Sequence, residues 1–116
     1  MNIKQKSEYG KLLTRIIKEN NMTQSEFYNK LGIKKPYFYD IIGGKINPPP
    51  PETQLKIIKL LKPNEEDTKR LLEIGAKIRN EIPADILLYL KTDINSITDI
   101  RESESYKRIM EVKING

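Results

Sequence analysis

The side chains in this sequence that could do chemistry are mainly cations, and they are unevenly distributed. Residues 1 to 62 carry 12 Lys or Arg against 5 Asp or Glu, whereas residues 63 to 116 carry 9 against 11. A basic half joined to a mildly acidic half is typical of a protein that presents one end to a polyanion. The alternative is that the lysines only keep an ordinary surface solvated.

The residue types on which most enzymes depend are missing or are explained by local structure. The sequence has no Cys and no His, which excludes disulfides, thiolate chemistry and the most common general base. The acidic residues 65–67 fit the first turn of a helix better than a metal site, and Gly43-Gly44 lacks the rest of a phosphate-binding loop. We therefore expect no enzymatic activity, no cofactor, no metal and no membrane partner, in a soluble cytoplasmic protein with one small core.

Short helices must position the cations of the basic half. From Tyr9, apolar residues recur at i, i+3, i+4, i+7 and i+8, which predicts a helix that ends at Asn20-Asn21. Thr23 then begins a second helix with a capping box to Glu26. This helix is short, because Gly32 supplies the left-handed residue that is favoured at a helix C-terminus.

A third helix follows after a short turn. Its pattern begins near Lys34 or Lys35, tolerates Pro36 only because that residue lies in the first turn, and ends at Gly43-Gly44. Two helices joined by a three- or four-residue turn that contains Gly are typical of a helix-turn-helix unit, in which the second helix contacts DNA bases. No strand pattern competes, and so we predict an all-α fold.

The rest of the chain is predicted to be helical apart from one connector. Residues 47–51 form a stiff extended segment, for which a proline-rich peptide ligand is the alternative. Helices are predicted over residues 52–61, from an Asn64 cap to Arg79, and over residues 84–90. The first of these helices is expected to turn three residues inward: Leu55, Ile58 and Leu61.

Residues 22–33 and the positions that follow them resemble the helix-turn-helix family of Cro and lambda-repressor-like (XRE-type) proteins. The family pattern runs apolar-Thr-Gln-x-Glu-apolar and then Leu-Gly-apolar, and residues 22–27 and 31–33 match it. Two apolar positions in the next helix, then Gly44-Lys45 and Pro48, continue the match. The resemblance covers about residues 9–62 and implies a lambda-repressor-like helical bundle with C-terminal helices appended.

The resemblance also implies how such a protein binds DNA. Phosphate contacts are expected from five residues: Arg15, Thr23, Gln24, Tyr28 and Lys45. Base contacts are expected from the start and exposed face of the third helix: Lys34, Lys35, Tyr37, Tyr39 and Asp40. Because Lys can donate to guanine and a Tyr ring can pack on a thymine methyl group, Lys35 and Tyr39 are the strongest base-reading candidates.

Four residues depart from the family pattern. Lys34 stands where Ser or Thr usually caps the third helix, which sacrifices roughly 1 kcal/mol of capping unless a nearby phosphate or guanine offsets it; a tolerated local weakness is the alternative. Ile17 and Ile42 replace an Arg and a Glu that often pair, and we expect the two to touch. Tyr28 stands where Ala is usual, so either the helix pair is splayed or the ring turns outward toward the phosphates.

Residues 63–116 are predicted to complete the core and to form a homodimer, because one such module buries little DNA surface by itself. The expected interface residues are Leu87, Leu90, Ile94 and Ile97. A longer monomeric bundle is the alternative. For residues 103–116, binding to another protein and partial disorder both stay open.

The sequence thus predicts a DNA-binding domain over residues 1–62 and a helical extension over residues 63–116. The predicted function is that of a transcriptional regulator, most consistent with a phage- or prophage-type repressor that occupies a palindromic operator as a dimer. The alternative is an antitoxin-like factor, in which the C-terminal half binds a partner protein and the helix-turn-helix regulates the factor's own gene.

Overall fold

The computed structural model describes residues 3–115, and the side chains of residues 6–115, as helices joined by short turns and connectors. This confirms the predicted all-α class. None of the helices in the described range is both long enough and apolar enough to cross a membrane. The helices are α1 Ile3–Glu19, α2 Gln24–Leu31, α3 Lys35–Ile42, α4 Pro51–Leu61, α5 Glu65–Arg79, α6 Ala84–Thr92, α7 Ile94–Glu102 and α8 Glu104–Met110, followed by the π-helical segment Glu111–Asn115.

The chain forms two compact units, of which the first ends at Asp85 and the second begins at Ile86. The first unit extends beyond residue 62, where the sequence analysis placed the domain boundary, because α5 packs against α1 and α4. Leu71 and Ile78 of α5 are buried in the same core as α1. Helix α5 therefore completes the N-terminal core.

The core of the first unit is built around α1, which packs against α2, α3 and α5. The apolar face predicted for α1 is buried, so that prediction is confirmed. The core residues come from five helices: Tyr9, Leu12, Leu13, Ile16, Ile17, Phe27, Phe38, Ile41, Ile57, Leu61, Leu71 and Ile78. Helix α3, which carries the predicted base-reading residues, contributes Phe38 and Ile41 to this core.

Helices α1 and α3 come into backbone contact at Gly10. A Cβ atom at this position would lie 2.0 Å from the carbonyl oxygen of Ile42 and 2.6 Å from its Cα. Gly in a helix interior is less favourable than Ala by about 1 kcal/mol, and the close approach explains why this helix has one. Ile42 thus meets α1 at Gly10. Ile17 is buried in the core and Ile42 packs against that core, and direct contact between the two stays a prediction.

The proline-rich connector is an internal part of the first unit. Pro48 and Pro49 are fully buried, and their carbonyl oxygens accept hydrogen bonds from Arg79 Nη1 at 3.0 Å and Gln54 Nε2 at 2.8 Å, respectively. The alternative of a proline-rich peptide ligand is wrong for these two residues, since a ligand must expose its proline rings.

Helix α4 is rotated relative to the prediction. Ile57 is buried with Leu61, whereas Leu55 and Ile58 are only half-buried. The reason is Gln54, which is 3% exposed and brings its amide under the connector. A Cβ on Gly75 of α5 would come within 2.6 Å of Gln54 Oε1, so the absence of a side chain at Gly75 leaves room for this amide.

The second unit contains most of α6 together with α7, α8 and the π-helical segment. Asp93 caps α7 by accepting from the N–H of Asn95 at 3.2 Å, and Ser103 caps α8 by accepting from the N–H of Tyr106 at 3.2 Å. Of its described residues 86–115, only Ser96 is buried. This unit therefore has well-formed helices but almost no interior.

The substitution Gly10→Ala tests the contact between α1 and α3. We expect it to lower the free energy of unfolding by about 3 kcal/mol, because the new methyl group meets backbone that cannot move aside and this outweighs the gain in helix propensity. Urea denaturation measures the change. Lys11→Ala, at the exposed neighbouring position, should stay within about 0.5 kcal/mol of the wild type, and an equal effect of the two substitutions would contradict the close packing.

Candidate nucleic-acid interface

The start of α2 is built as the sequence predicts. Thr23 Oγ1 accepts from the N–H of Glu26 at 3.0 Å, and Glu26 Oε1 accepts from the N–H of Thr23 at 3.3 Å, which completes the capping box. Gln24 follows as the first helical residue and is half-buried. The N–H groups of Gln24 and Ser25 have no acceptor within the helix and point out of its N-terminus, where an anion is favoured.

A three-residue turn, residues 32–34, joins α2 to α3. Gly32 has φ +81° and ψ +24°, the left-handed conformation predicted for it. Its N–H donates to the carbonyl oxygen of Tyr28 at 3.0 Å, and the N–H of Ile33 donates to the same oxygen at 3.0 Å. These bonds close the end of α2 and set the direction in which α3 leaves the turn.

The ring of Phe38 orients α3 against α2. It is completely buried, and its centroid lies 5.6 Å from that of Phe27 and 5.6 Å from that of Tyr28. Such tilted aromatic pairs stabilise packing beyond the area they bury. Tyr28 therefore occupies the space between α2 and α3 with its ring against Phe38, and this contact accounts for the large residue at this position.

Helix α3 begins without a side-chain cap. Lys34 is the N-cap residue, with φ −82° and ψ 149°, and its side chain makes no capping hydrogen bond. Lys35 and Pro36 form the start of the first turn, and all three residues are exposed. Two ammonium groups thus belong to consecutive exposed residues at the end of the helix where the dipole is positive.

The predicted base-reading residues fall into two groups by exposure. Lys34, Lys35 and Tyr39 are exposed, Tyr39 by 42%, and the Tyr39 ring is held edge-on to Phe38 with the centroids 5.2 Å apart. Asp40 is half-buried. The structure thus brings two lysines and one aromatic ring to the open side of α3.

Tyr37, unlike Lys34, Lys35 and Tyr39, is turned toward the interior of the protein. It is half-buried and packs against the core. Burial raises the pKa of the Tyr9 hydroxyl far above its ordinary value, and the neighbouring Tyr37 raises it further. Because it is half-buried against the core, Tyr37 is the weakest of the five base-reading candidates.

Lys45 is exposed in the loop after α3. Gly44, with φ +75°, reverses the chain, and the N–H of Lys45 then donates to the carbonyl oxygen of Asp40 at 3.0 Å. This bond holds the loop against the end of α3 while the Lys45 side chain stays free to reach an anion.

Arg15, one of the five predicted phosphate-contacting residues, is engaged elsewhere. Its Nη2 lies 2.7 Å from Asp67 Oδ1 and its Nη1 lies 2.9 Å from Glu19 Oε1. Asp67 is 7% exposed, and its own N–H donates to Asn64 Oδ1 at 2.7 Å as part of the α5 cap. Arg15 therefore ties α1 to α5 with its charge neutralised, and we leave it out of the interface.

Gly10 and Phe38 position the candidate interface but were not among the candidate residues. Gly10 had a signal in the sequence, since an isolated Gly in a helical pattern usually has a packing reason. Phe38 could be recognised only as an apolar residue of α3, because its contacts with Phe27 and Tyr28 depend on how the two helices cross.

No family model, curated protein or solved structure matches this chain. Among the described residues, no three His, Cys, Asp or Glu side chains are grouped as a metal site would require.

The Arg15–Asp67 ion pair predicts a pH dependence of stability. The hydrogen bond from Arg15 outweighs the effect of burial and holds the pKa of Asp67 below its ordinary value of about 3.8. Because the folded-state pKa is the lower one, the pair stabilises the fold above about pH 4 and this contribution is lost as the pH falls through the folded-state pKa. Asp67→Asn should lower stability at neutral pH and flatten its dependence on pH below about 4.

Urea denaturation across this pH range measures both effects. Glu19→Gln is the matched control, because Glu19 is the exposed partner of Arg15 and surface pairs contribute little. If Asp67→Asn left the acid branch of the stability curve unchanged, the ion pair would not be the source of the pH dependence.

The uncapped start of α3 predicts that Lys34→Ser stabilises the protein. A Ser hydroxyl at this position can accept from the N–H of Tyr37, the third helical residue, and should raise the free energy of unfolding by about 1 kcal/mol. Thermal or urea denaturation measures the gain. Lys30→Ser, which removes the same charge in the last turn of α2, should show no gain, and a similar rise in both variants would attribute the effect to charge alone.

Proposed function

We propose that this protein is a sequence-specific DNA-binding transcriptional regulator, in which α2 and α3 form a helix-turn-helix unit and α3 is the reading helix. The observation that carries the proposal is the geometry of this pair. Two eight-residue helices are joined by a three-residue turn with a left-handed Gly32, and Lys34, Lys35 and Tyr39 are exposed along the second helix.

One end of α3 is packed against the protein and the other is exposed, as a reading helix requires. The C-terminal end is held on α1 by the contact between Gly10 and Ile42. The N-terminal end presents Lys34 and Lys35 to solvent. Since the N-terminal residues of a recognition helix contact base edges in the major groove, the exposed end is the one that must be free.

The phosphate contacts in this proposal come from both sides of α3. On one side are Gln24 and the N–H groups at the start of α2; on the other is Lys45, in the loop after α3. Together they would fix the register of the protein on the duplex without reading sequence. Lys35 and Tyr39 would read it, through hydrogen bonds to guanine and apolar contact with a thymine methyl group.

The distribution of charge supports the same proposal. Residues 1–85 carry 16 Lys or Arg and 11 Asp or Glu, so the whole net charge of +5 lies in this part of the chain. A cationic unit accelerates association with DNA and adds a salt-dependent term to its affinity. On these features and the sequence pattern, we propose that the first unit is a bundle of the Cro and lambda-repressor-like kind. We further propose that the protein represses transcription by occupying an operator.

An antitoxin-like factor is the second candidate, and the exposed apolar residues of the second unit favour it. Ile94, Val112 and Ile114 are each more than 60% exposed, as a surface that binds another protein would be. In this candidate the DNA-binding unit only regulates the factor's own gene. Stoichiometric co-purification of a different chain distinguishes it from a repressor that acts without a partner.

Selection of bound sequences from a random or genomic duplex library tests the leading proposal. We expect an enriched motif and an affinity that falls steeply with salt concentration. If selection returned no motif and binding did not depend on salt, the proposal would fail.

Substitutions should separate the two kinds of DNA contact. Lys45→Ala should weaken binding to all duplexes by a similar factor and reduce the slope of log affinity against log salt by about 1, whereas Lys35→Ala and Tyr39→Ala should change which sequence is preferred. Fluorescence anisotropy with a set of single-base variants measures both. Lys69→Ala, at an exposed position on α5, should change neither, and a uniform loss in the Lys35 and Tyr39 variants would argue against their role in reading bases.

The Lys34→Ser variant separates binding from folding. It should bind DNA less tightly than the wild type although it folds more stably, because the cap that stabilises the helix replaces an ammonium group at the interface. Tighter binding would show that Lys34 does not face the duplex.

A further inference from the structure

Two adjoining cavities form a groove between α1 and α5 on the surface of the first unit. The larger has a volume of about 350 Å³ and is lined by Glu8, Lys11, Leu12, Arg15, Arg70 and Ile74. The smaller has a volume of about 250 Å³ and is lined by Glu8, Ile74, Lys77 and Ile78. Because Glu8 and Ile74 line both cavities, the two adjoin, and together we call them the α1–α5 groove.

The two walls of the groove are regular helix faces. The residues from α1 follow each other at i, i+3, i+4 and i+7, and those from α5 at i, i+4, i+7 and i+8, so each set lies along one side of its helix. Arg70 and Ile78 are eight residues apart, which gives this wall a length of about 12 Å. At one end of the groove, the ion pair between Arg15 and Asp67 joins the two helices.

The groove has an apolar floor and a charged rim. Leu12 and Ile78 are buried and Ile74 is half-buried, whereas the four rim residues are exposed: Glu8, Lys11, Arg70 and Lys77. Sites for small molecules commonly combine an apolar lining with a few polar groups that orient the ligand, in volumes of about 300 to 1,000 Å³. The α1–α5 groove has both this size and this composition.

The charges of the rim favour an anionic ligand. Three rim residues are cationic and only Glu8 is anionic, while Arg15 is engaged by Asp67 and Glu19. The ion pairs formed among residues 6–115 include none with the three rim cations. The groove therefore has an excess of positive charge that the described part of the protein leaves without an ion-pair partner.

The groove lies on the other side of α1 from the reading helix. Around the axis of α1, the centre of the face formed by Glu8, Lys11, Leu12 and Arg15 is about 150° from Gly10, and Gly10 is where α1 meets α3. A DNA backbone placed here would engage the rim cations but would leave the apolar floor uncovered. A molecule with an anionic head and an apolar chain would cover both.

We propose that the α1–α5 groove binds a small amphiphile, with an anionic head group at Lys11 and Arg70 and an apolar chain along Leu12, Ile74 and Ile78. Carboxylate and phosphate head groups share the required chemistry, because both accept charge-assisted hydrogen bonds from Lys and Arg. This site goes beyond the proposed DNA binding and does not depend on it.

Nuclear magnetic resonance titration of the isotope-labelled full chain with octanoate tests the site. We expect saturable binding with a dissociation constant below about 1 mM, and amide shifts concentrated in residues 8–15 and 70–78. From hexanoate to octanoate the affinity should rise by about two-fold per methylene group, which is about half the effect of full burial, because the groove is open on one side.

Two further probes with the same chain test the head group. Octylammonium, which carries the opposite charge, should bind at least about ten-fold more weakly than octanoate, because the rim is cationic. Octyl phosphate distinguishes the two anionic head groups, and the one that binds more tightly is assigned to the site.

Substitutions on the rim locate the head group. Lys11→Gln and Arg70→Gln should each weaken octanoate binding by about five-fold or more. Lys69→Gln is the matched control, since Lys69 is an exposed neighbour of Arg70 that does not line the groove, and it should stay within about two-fold of the wild type. Unchanged amide spectra outside the groove show that the variants are folded.

Four results would overturn the proposal. They are octanoate binding that does not saturate, octylammonium binding as tight as that of octanoate, shifts confined to the exposed apolar residues of the second unit, or rim variants that bind octanoate as tightly as Lys69→Gln does. All of these measurements are made without DNA. Their failure is therefore distinguishable from failure of the selection experiment that tests DNA binding.

Discussion

The backbone contact between Gly10 of α1 and Ile42 of α3 is the constraint on which the proposed interface depends. Side chains can adjust to one another, but two backbones at this distance leave no room for even a methyl group. The contact fixes the last residue of α3 on the longest helix of the first unit. Phe38, one turn earlier, sets the rotation of α3 by packing on Phe27 and Tyr28. The start of α3 and Tyr39 are then left exposed.

The first unit uses its charges and polar groups in two different ways. Arg15, Arg79 and Gln54 are engaged within the protein, with Asp67 and with the carbonyl oxygens of the proline connector. Lys34, Lys35 and Lys45, by contrast, are exposed to solvent. The engaged groups stabilise the arrangement of α1, α4 and α5. Lys34 gives up the local stability that a capping side chain would add. All three exposed lysines are available to an anion.

The two compact units have complementary compositions. The first carries the whole net charge of the protein and a buried core, and the second carries no net charge and leaves most of its large apolar residues exposed. A polyanion is attracted to the first by long-range electrostatics, whereas apolar burial acts only at contact. The proposed DNA-binding function follows this division, since DNA would bind the first unit.

Features that depend on residues close in sequence could be predicted from the sequence, and those that depend on distant residues could not. The capping box of Thr23 and Glu26, the left-handed Gly32 and the Asn64 cap involve partners within about four residues, so the local pattern determines them. Arg15 and Asp67 are 52 positions apart, and nothing in either neighbourhood indicates the pair. The rotation of α4 around buried Gln54, the orientation of Tyr28 and Tyr37, and the approach of α3 to Gly10 also required the tertiary structure. Hydrogen bonds within a helix turn join residues that are close in sequence, so the local sequence determines them. Which face a helix turns toward the core depends on close packing with residues that are distant in sequence.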